Sequence, residues 1–140
     1  MAIPNFRAIR SGLLAELQAD DGVAGVRHYS GGALSGVPGF PALVVGAFKT
    51  EQGDAITACL TPVQVPIAVV VGRPADNDQA TINLLDDLLG ALLDRLDQMA
   101  GSNLGGSVSE WHPIRSVFIA NFPVGAQVFP AHTVFLAIQA

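Results

Sequence analysis

Charge is what this sequence has least of. Only 14% of the residues are charged while 50% are hydrophobic, a balance that is low for a freely soluble monomer. Some apolar surface is therefore expected to meet a partner, and self-association is the simplest way to cover it. Positive charge is scarcer still, with seven Lys and Arg against twelve Asp and Glu and a formal net charge of −5. Neutralising phosphates takes clustered basic side chains, so direct nucleic-acid binding is not expected. The single cysteine, Cys59, excludes an internal disulfide framework and fits a reducing compartment; it reads as a small buried apolar residue.

Long apolar runs are also missing. The longest strongly apolar run without charge, Leu60 to Gly72, contains Pro62 and Pro66 and is too short to cross a bilayer as a helix. Met1 to Ser11 carries Arg7 and Arg10 and no apolar stretch of signal-peptide length. Neither a membrane association nor secretion is expected.

The residues that usually announce chemistry are not assembled. His28, His112 and His132 sit on different segments and in no metal-binding spacing. Glu110 and His112 could work as an acid–base pair with a distant Asp, but the plainer reading has Trp111 packing while its polar neighbours face water. Gly31-Gly32-Ala33-Leu34-Ser35-Gly36 has the look of a phosphate loop, yet Val37-Pro38 stands where Lys-Ser/Thr is required. Neither Ser30 nor Ser35 lies in a G-x-S-x-G elbow. No catalytic, cofactor-binding or metal-binding residue is assigned, and the chain is not expected to be an enzyme.

What is present is a strong secondary-structure pattern. At 140 residues the chain is of one-domain size, able to bury about 68–70% of its unfolded surface without metal or disulfide. Phe6, Ile9, Leu13 and Leu17 recur at helical steps and predict a first helix from Asn5 to Gln18. From Gly22 to Gly39 the glycines predict a long loop or a loosely paired hairpin. Phe40 to Phe48 reads as a strand covered on both faces, Lys49 to Asp54 as a polar turn, and Ala55 to Leu60 as a short strand.

Val63, Val65, Ile67, Val69 and Val71 alternate with Gln64, Pro66, Ala68 and Val70, the clearest strand in the chain. Pro66 cannot donate to a ladder, so this strand is expected at a sheet edge, or at least to turn that position away from its neighbour. Asp76 and Gln79 are spaced as a capping box for a long helix running to Met99. Its apolar positions Ile82, Leu85, Leu88, Leu89, Leu92, Leu93, Leu96 and Met99 fill roughly half the circumference. Ser102 to Ser107 reads as a connection, with a strand through Val108 and Trp111 that Pro113 interrupts. Ile114 to Ala120 and Thr133 to Gln139 alternate as antiparallel neighbours joined through Asn121 to Pro130. The whole predicts one α+β domain over residues 1–140, a mostly antiparallel sheet with two helices packed on one face.

Candidate contact residues follow from residue type. Asp86, Asp94 and Asp97 line the polar side of the long helix, where like charges oppose one another and could meet Arg or Lys of a neighbour; a solvated face is the plainer alternative. Tyr29, Phe48, Arg73, Trp111, Phe122 and Phe129 are the aromatic and arginine candidates. The glycine- and proline-rich stretches Val23 to Phe40 and Phe122 to Pro130 are of the kind that orders against another protein.

In layout the chain resembles the tail terminator and tail-completion (head–tail joining) proteins of tailed bacteriophages. The resemblance rests on the helix Asn5 to Gln18, the passage ending Gly39-Phe40-Pro41-Ala42-Leu43-Val44-Val45, the strand Val63 to Val71, the helix Ala80 to Met99 and the closing strands. It covers nearly the whole chain, and no single motif carries it. It implies a homo-oligomeric ring, usually a hexamer, in the virion at the head-proximal end of the tail, assembled in the host cytoplasm. The implied partners are the tail-tube protein and the neck or connector, with the tail sheath a further contact where one exists. The rival expectation is a small-molecule-binding module or small enzyme using the Gly-rich loop and the His112 region, which requires a pocket with converging polar groups.

Overall fold

The computed structural model describes residues 5–19, 22–31, 39–50, 62–72, 79–99, 110–124 and 127–139. Two helices and six strands follow in the order α1 (Phe6–Gln18), β1 (His28–Ser30), β2 (Ala42–Val45), β3 (Lys49–Thr50), β4 (Pro62–Val70), α2 (Gln79–Gln98), β5 (Glu110–Val124) and β6 (Gln127–Gln139). They form one sheet in the order β1-β2-β4-β6-β5, with β3 also paired to β4. All pairings are antiparallel except β1 with β2. The fold is α+β, as the pattern predicts.

Helix α1 starts where Asn5 accepts a hydrogen bond from the Ala8 N–H at 3.1 Å, satisfying one of the free donors of its first turn. Ile9, Leu13 and Leu17 are its buried stripe. Beyond it, Gly22 and Gly25 adopt positive φ angles of 66° and 88°, a conformation glycine takes without steric cost. The chain then enters β1, where a loop or hairpin is expected. Within that stretch His28 to Ser30 pair in parallel with Ala42 to Val44, while residues 32–38 lie outside the described residues.

The main core lies between the helices and one face of the sheet. Leu43, Val45, Val63, Val65, Ile67, Val69, Val134, Leu136 and Ile138 meet Ile9, Leu13 and Leu17 of α1 and Leu85, Leu88, Leu92 and Leu96 of α2. On the opposite face a smaller cluster joins Ala42, Val44, Ala68, Val70 and Ala131 to Val124, flanked by Phe40, Phe122 and Phe129. The two helices are tied directly by Arg95, whose Nε donates to the Glu16 carbonyl at 3.2 Å and whose Nη2 donates to the Ala19 carbonyl at 3.1 Å. A cation thereby closes the C-terminal end of α1, where carbonyls lack intrahelical donors. Arg10 acts similarly, donating to the carbonyls of Gly31 at 2.7 Å and Val45 at 2.7 Å.

Pro66 does not mark an edge. Strand β4 is central, held by β2 and β3 on one side and by β6 on the other. The ladder itself explains why a proline is tolerated there. β2 stops at Val45 and β3 resumes at Lys49, and in the break the Gly46 N–H donates to the Pro66 carbonyl at 2.8 Å. The nitrogen and carbonyl of one strand residue point to the same side, so the proline nitrogen faces this irregularity and not the continuous β6 ladder.

The closing strands are longer than the sequence suggests. Pro113 is absorbed by a register shift between Pro113 and Arg115, and a second shift lies between Ile119 and Phe122. Both are bulges of the kind that bend a strand without ending it. Phe122 pairs with Phe129 and Val124 with Gln127, so the expected connection from Asn121 to Pro130 is largely strand. The strand at Ala55 to Leu60, the capping box at Asp76, Arg73, Cys59 and the connection from Ser102 to Ser107 lie outside the described residues.

Candidate functional site

The residues expected to carry contacts divide by placement. Tyr29 is half-buried and its hydroxyl accepts from the Val23 N–H at 2.8 Å. Phe48 packs beside Phe6, with ring centroids 5.6 Å apart, and beneath the Arg10 guanidinium at 4.5 Å. Trp111 is half-buried against the main core. Phe122 and Phe129 face each other across the β5–β6 hairpin, and Phe129 stacks on Phe40 at 5.1 Å. These five aromatics thus pack against the chain's own core. Asp86, Asp94 and Asp97 are exposed on α2, and Asp94 accepts from the Gln98 amide at 3.4 Å.

The exposed apolar surface lies elsewhere. Ile82 is 49% exposed, Phe118 51% and Val117 38%, although Ile82 falls within the apolar arc of α2 that the sequence assigns to the sheet. Leu93, in the same arc, is 39% exposed. The buried stripe is the narrower set Leu85, Leu88, Leu92 and Leu96. Ile82 and Phe118, with Leu85, Asp86 and His132, line an open groove of about 240 Å³ between the first turns of α2 and the strands β5 and β6. The Phe118 and His132 rings meet edge to face at 6.4 Å.

The groove is apolar with two polar side chains, and the histidines are not gathered in it. His132 pairs with Phe118 on the helix side, whereas His112 pairs with Ala137 on the opposite face of the sheet and is exposed. Among the described residues no group of three His, Cys, Asp or Glu side chains could hold a metal ion, and no helix is long and apolar enough to cross a membrane. Arg115 lies over the Phe135 ring at 4.5 Å, a cation–π contact on the face away from the helices.

No family model and no curated protein matches this chain. The site must therefore be read from its own geometry. It can bind apolar or extended protein surface; it presents no paired acid and base in contact, and no nucleophile held by a base, among the residues described. Sequence reasoning missed Ile82, Phe118 and His132 as a group because they meet only through the sheet order, α2 crossing beside strands that come some thirty to fifty residues later. The one available signal was the alternation that places Ser116 and Phe118 on one face of their strand.

Proposed function

We propose that this chain is a structural protein of a tailed-bacteriophage virion, forming a homo-oligomeric ring at the head-proximal end of the tail. In that position it terminates the tail tube and joins it to the neck or connector. The observation that carries the reading is the exposed apolar pair Ile82 and Phe118 on the helix side of the outer strand β5, on a chain with only 14% charged residues. Such a patch on a small domain is a place for protein contact. The layout adds support: the opening helix, the central β-branched strand, the long leucine helix and the closing strands occur in the order the resemblance requires.

The mechanism is binding. A ring subunit must bury two different side surfaces against its neighbours and offer its two ends to tube and connector. The exposed acidic positions Asp86, Asp94 and Asp97 supply charge that selects and orients a basic partner more than it holds one. Light scattering on the purified chain, alone and after mixing with tail-tube protein, tests this. A closed ring in either condition is expected, and a species no larger than a dimer in both would overturn the proposal.

A further inference from the structure

Among the described residues strand β5 is the last strand of the sheet, and the ladder register identifies which of its backbone groups point away from it. In an antiparallel sheet successive residues bond alternately to one neighbour and then to the other. The Val71 N–H donates to the Pro130 carbonyl at 3.1 Å, which fixes the phase of β6. His132, Val134, Leu136 and Ile138 bond to β4, and the intervening Ala131, Thr133, Phe135 and Ala137 bond to β5. Their partners Ile119, Val117, Arg115 and His112 therefore turn their peptide groups inward. Trp111, Pro113, Ser116 and Phe118 turn theirs outward.

Two of these outward positions are set apart. Pro113 has no N–H to offer, and Trp111 lies beyond it, across the register shift between Pro113 and Arg115. Ser116 and Phe118 remain, each with one donor and one acceptor that no described residue meets. The window is bounded by the register shifts between Pro113 and Arg115 and between Ile119 and Phe122, and it is symmetric about Val117.

We propose that two copies of this chain pair through β5, antiparallel, about a two-fold axis at Val117. Ser116 of one copy then faces Phe118 of the partner subunit, and the reverse, which makes four backbone hydrogen bonds. The side chains suit this register. The small Ser116 lies opposite the half-exposed Phe118 ring on the helix side, and the two Phe118 rings become diagonal neighbours within aromatic reach. On the other face Val117 meets Val117 of the partner subunit. Arg115 lies opposite Ile119 of the partner subunit, so like charges are not opposed, and its guanidinium stays over Phe135. Sliding the register by two residues sets one outward residue against a bulge and leaves only two of the four bonds.

A second copy fits this edge better than an arbitrary extended peptide because the window is short, is its own complement, and continues into the exposed Ile82 of each copy. The contact is isologous, unlike the head-to-tail contacts of a ring. It is therefore a form of the free chain and does not rest on the ring reading.

Cross-linking tests it. Directly opposed residues of a non-hydrogen-bonded pair have Cα atoms about 4.5 Å apart, within disulfide range. In a Cys59→Ser background, copper phenanthroline should oxidise the two thiols of paired Val117→Cys chains to one disulfide, giving a covalent dimer as the main product. The exposed His112→Cys control should give at least about tenfold less. Ser116→Pro removes an outward N–H that β6 does not use, so it should leave the melting temperature nearly unchanged and weaken dimerisation at least about tenfold in sedimentation. Equal cross-linking at both positions, or none at Val117→Cys, would overturn the pairing even if Ser116→Pro failed to fold. A ring that forms with tube protein in the absence of this cross-link would remove the pair and leave the ring reading intact; a cross-linked dimer that never forms a ring would do the opposite.

Discussion

Leu92 and Leu93 are chemically identical neighbours on α2, and the packing assigns them very different weights. Leu92 is 0% exposed and belongs to the main core, whereas Leu93 is 39% exposed. Leu92→Ala removes buried side-chain volume that the sheet beneath cannot collapse to fill, at a cost of about 2–5 kcal/mol. Leu93→Ala removes groups already largely in water and gains slightly in helix propensity, so its effect should stay within about 0.5 kcal/mol. An unfolding entropy of about 2.1 cal/mol/K per residue gives roughly 0.3 kcal/mol/K for a chain of this length. Leu92→Ala should therefore lower the melting temperature by about 7–17 °C, and Leu93→Ala by no more than about 2 °C. Thermal unfolding followed by far-UV circular dichroism measures both. Equal shifts, or the larger shift at Leu93, would mean that α2 is rotated about its axis relative to the packing described, and the exposed band at Ile82 would go with it.

Other substitutions probe single contacts. Arg95→Ala should cost about 1.5–3 kcal/mol by denaturant unfolding, because a charged donor leaves the Glu16 and Ala19 carbonyls; Arg95→Lys should recover less than half, lacking the planar fork. Gly46→Ala should destabilise by about 1–3 kcal/mol, since its added Cβ would sit 2.9 Å from the Pro66 ring, and an unchanged urea midpoint would contradict the tight β2–β4 approach. Thr133 is 3% exposed and its hydroxyl has no hydrogen-bond partner among the described residues. Thr133→Val should thus raise stability by about 1 kcal/mol in the same assay, and a loss would point to a partner for that hydroxyl.

The elements that were legible in the sequence are those with a strong local period. Ile9, Leu13 and Leu17 announce α1, and the alternation from Val63 to Val71 announces β4, because burial of one face writes itself directly into the spacing. What was hidden depends on distant partners. Pro66 reads as an edge signal on its own, and only the break between β2 and β3 shows how a central strand accommodates it. Strand β1 has no period in three residues and exists because β2 is beside it. Arg10 and Arg95 look like ordinary surface cations, yet each is fixed by carbonyls contributed from other elements. That Tyr29, Phe48, Trp111, Phe122 and Phe129 are partly buried against the chain's own core was hidden too, because a large apolar side chain has the same sequence appearance in core and interface. The groove at Ile82 and Phe118 needs the sheet order before it can be seen.

The central position of β4 also shapes how the chain can be made. Its partners in β6 follow it by about sixty to eighty residues, so the most β-branched strand of the molecule emerges from synthesis long before the strand that completes it. Until β6 arrives, β4 has one side of its ladder open, and contacts this distant in sequence form slowly. Nascent chains interrupted within α2 or β5 would carry a sticky, half-paired sheet. The rate at which β6 closes over β4 would then limit the yield of folded chain more than the stability of the finished fold.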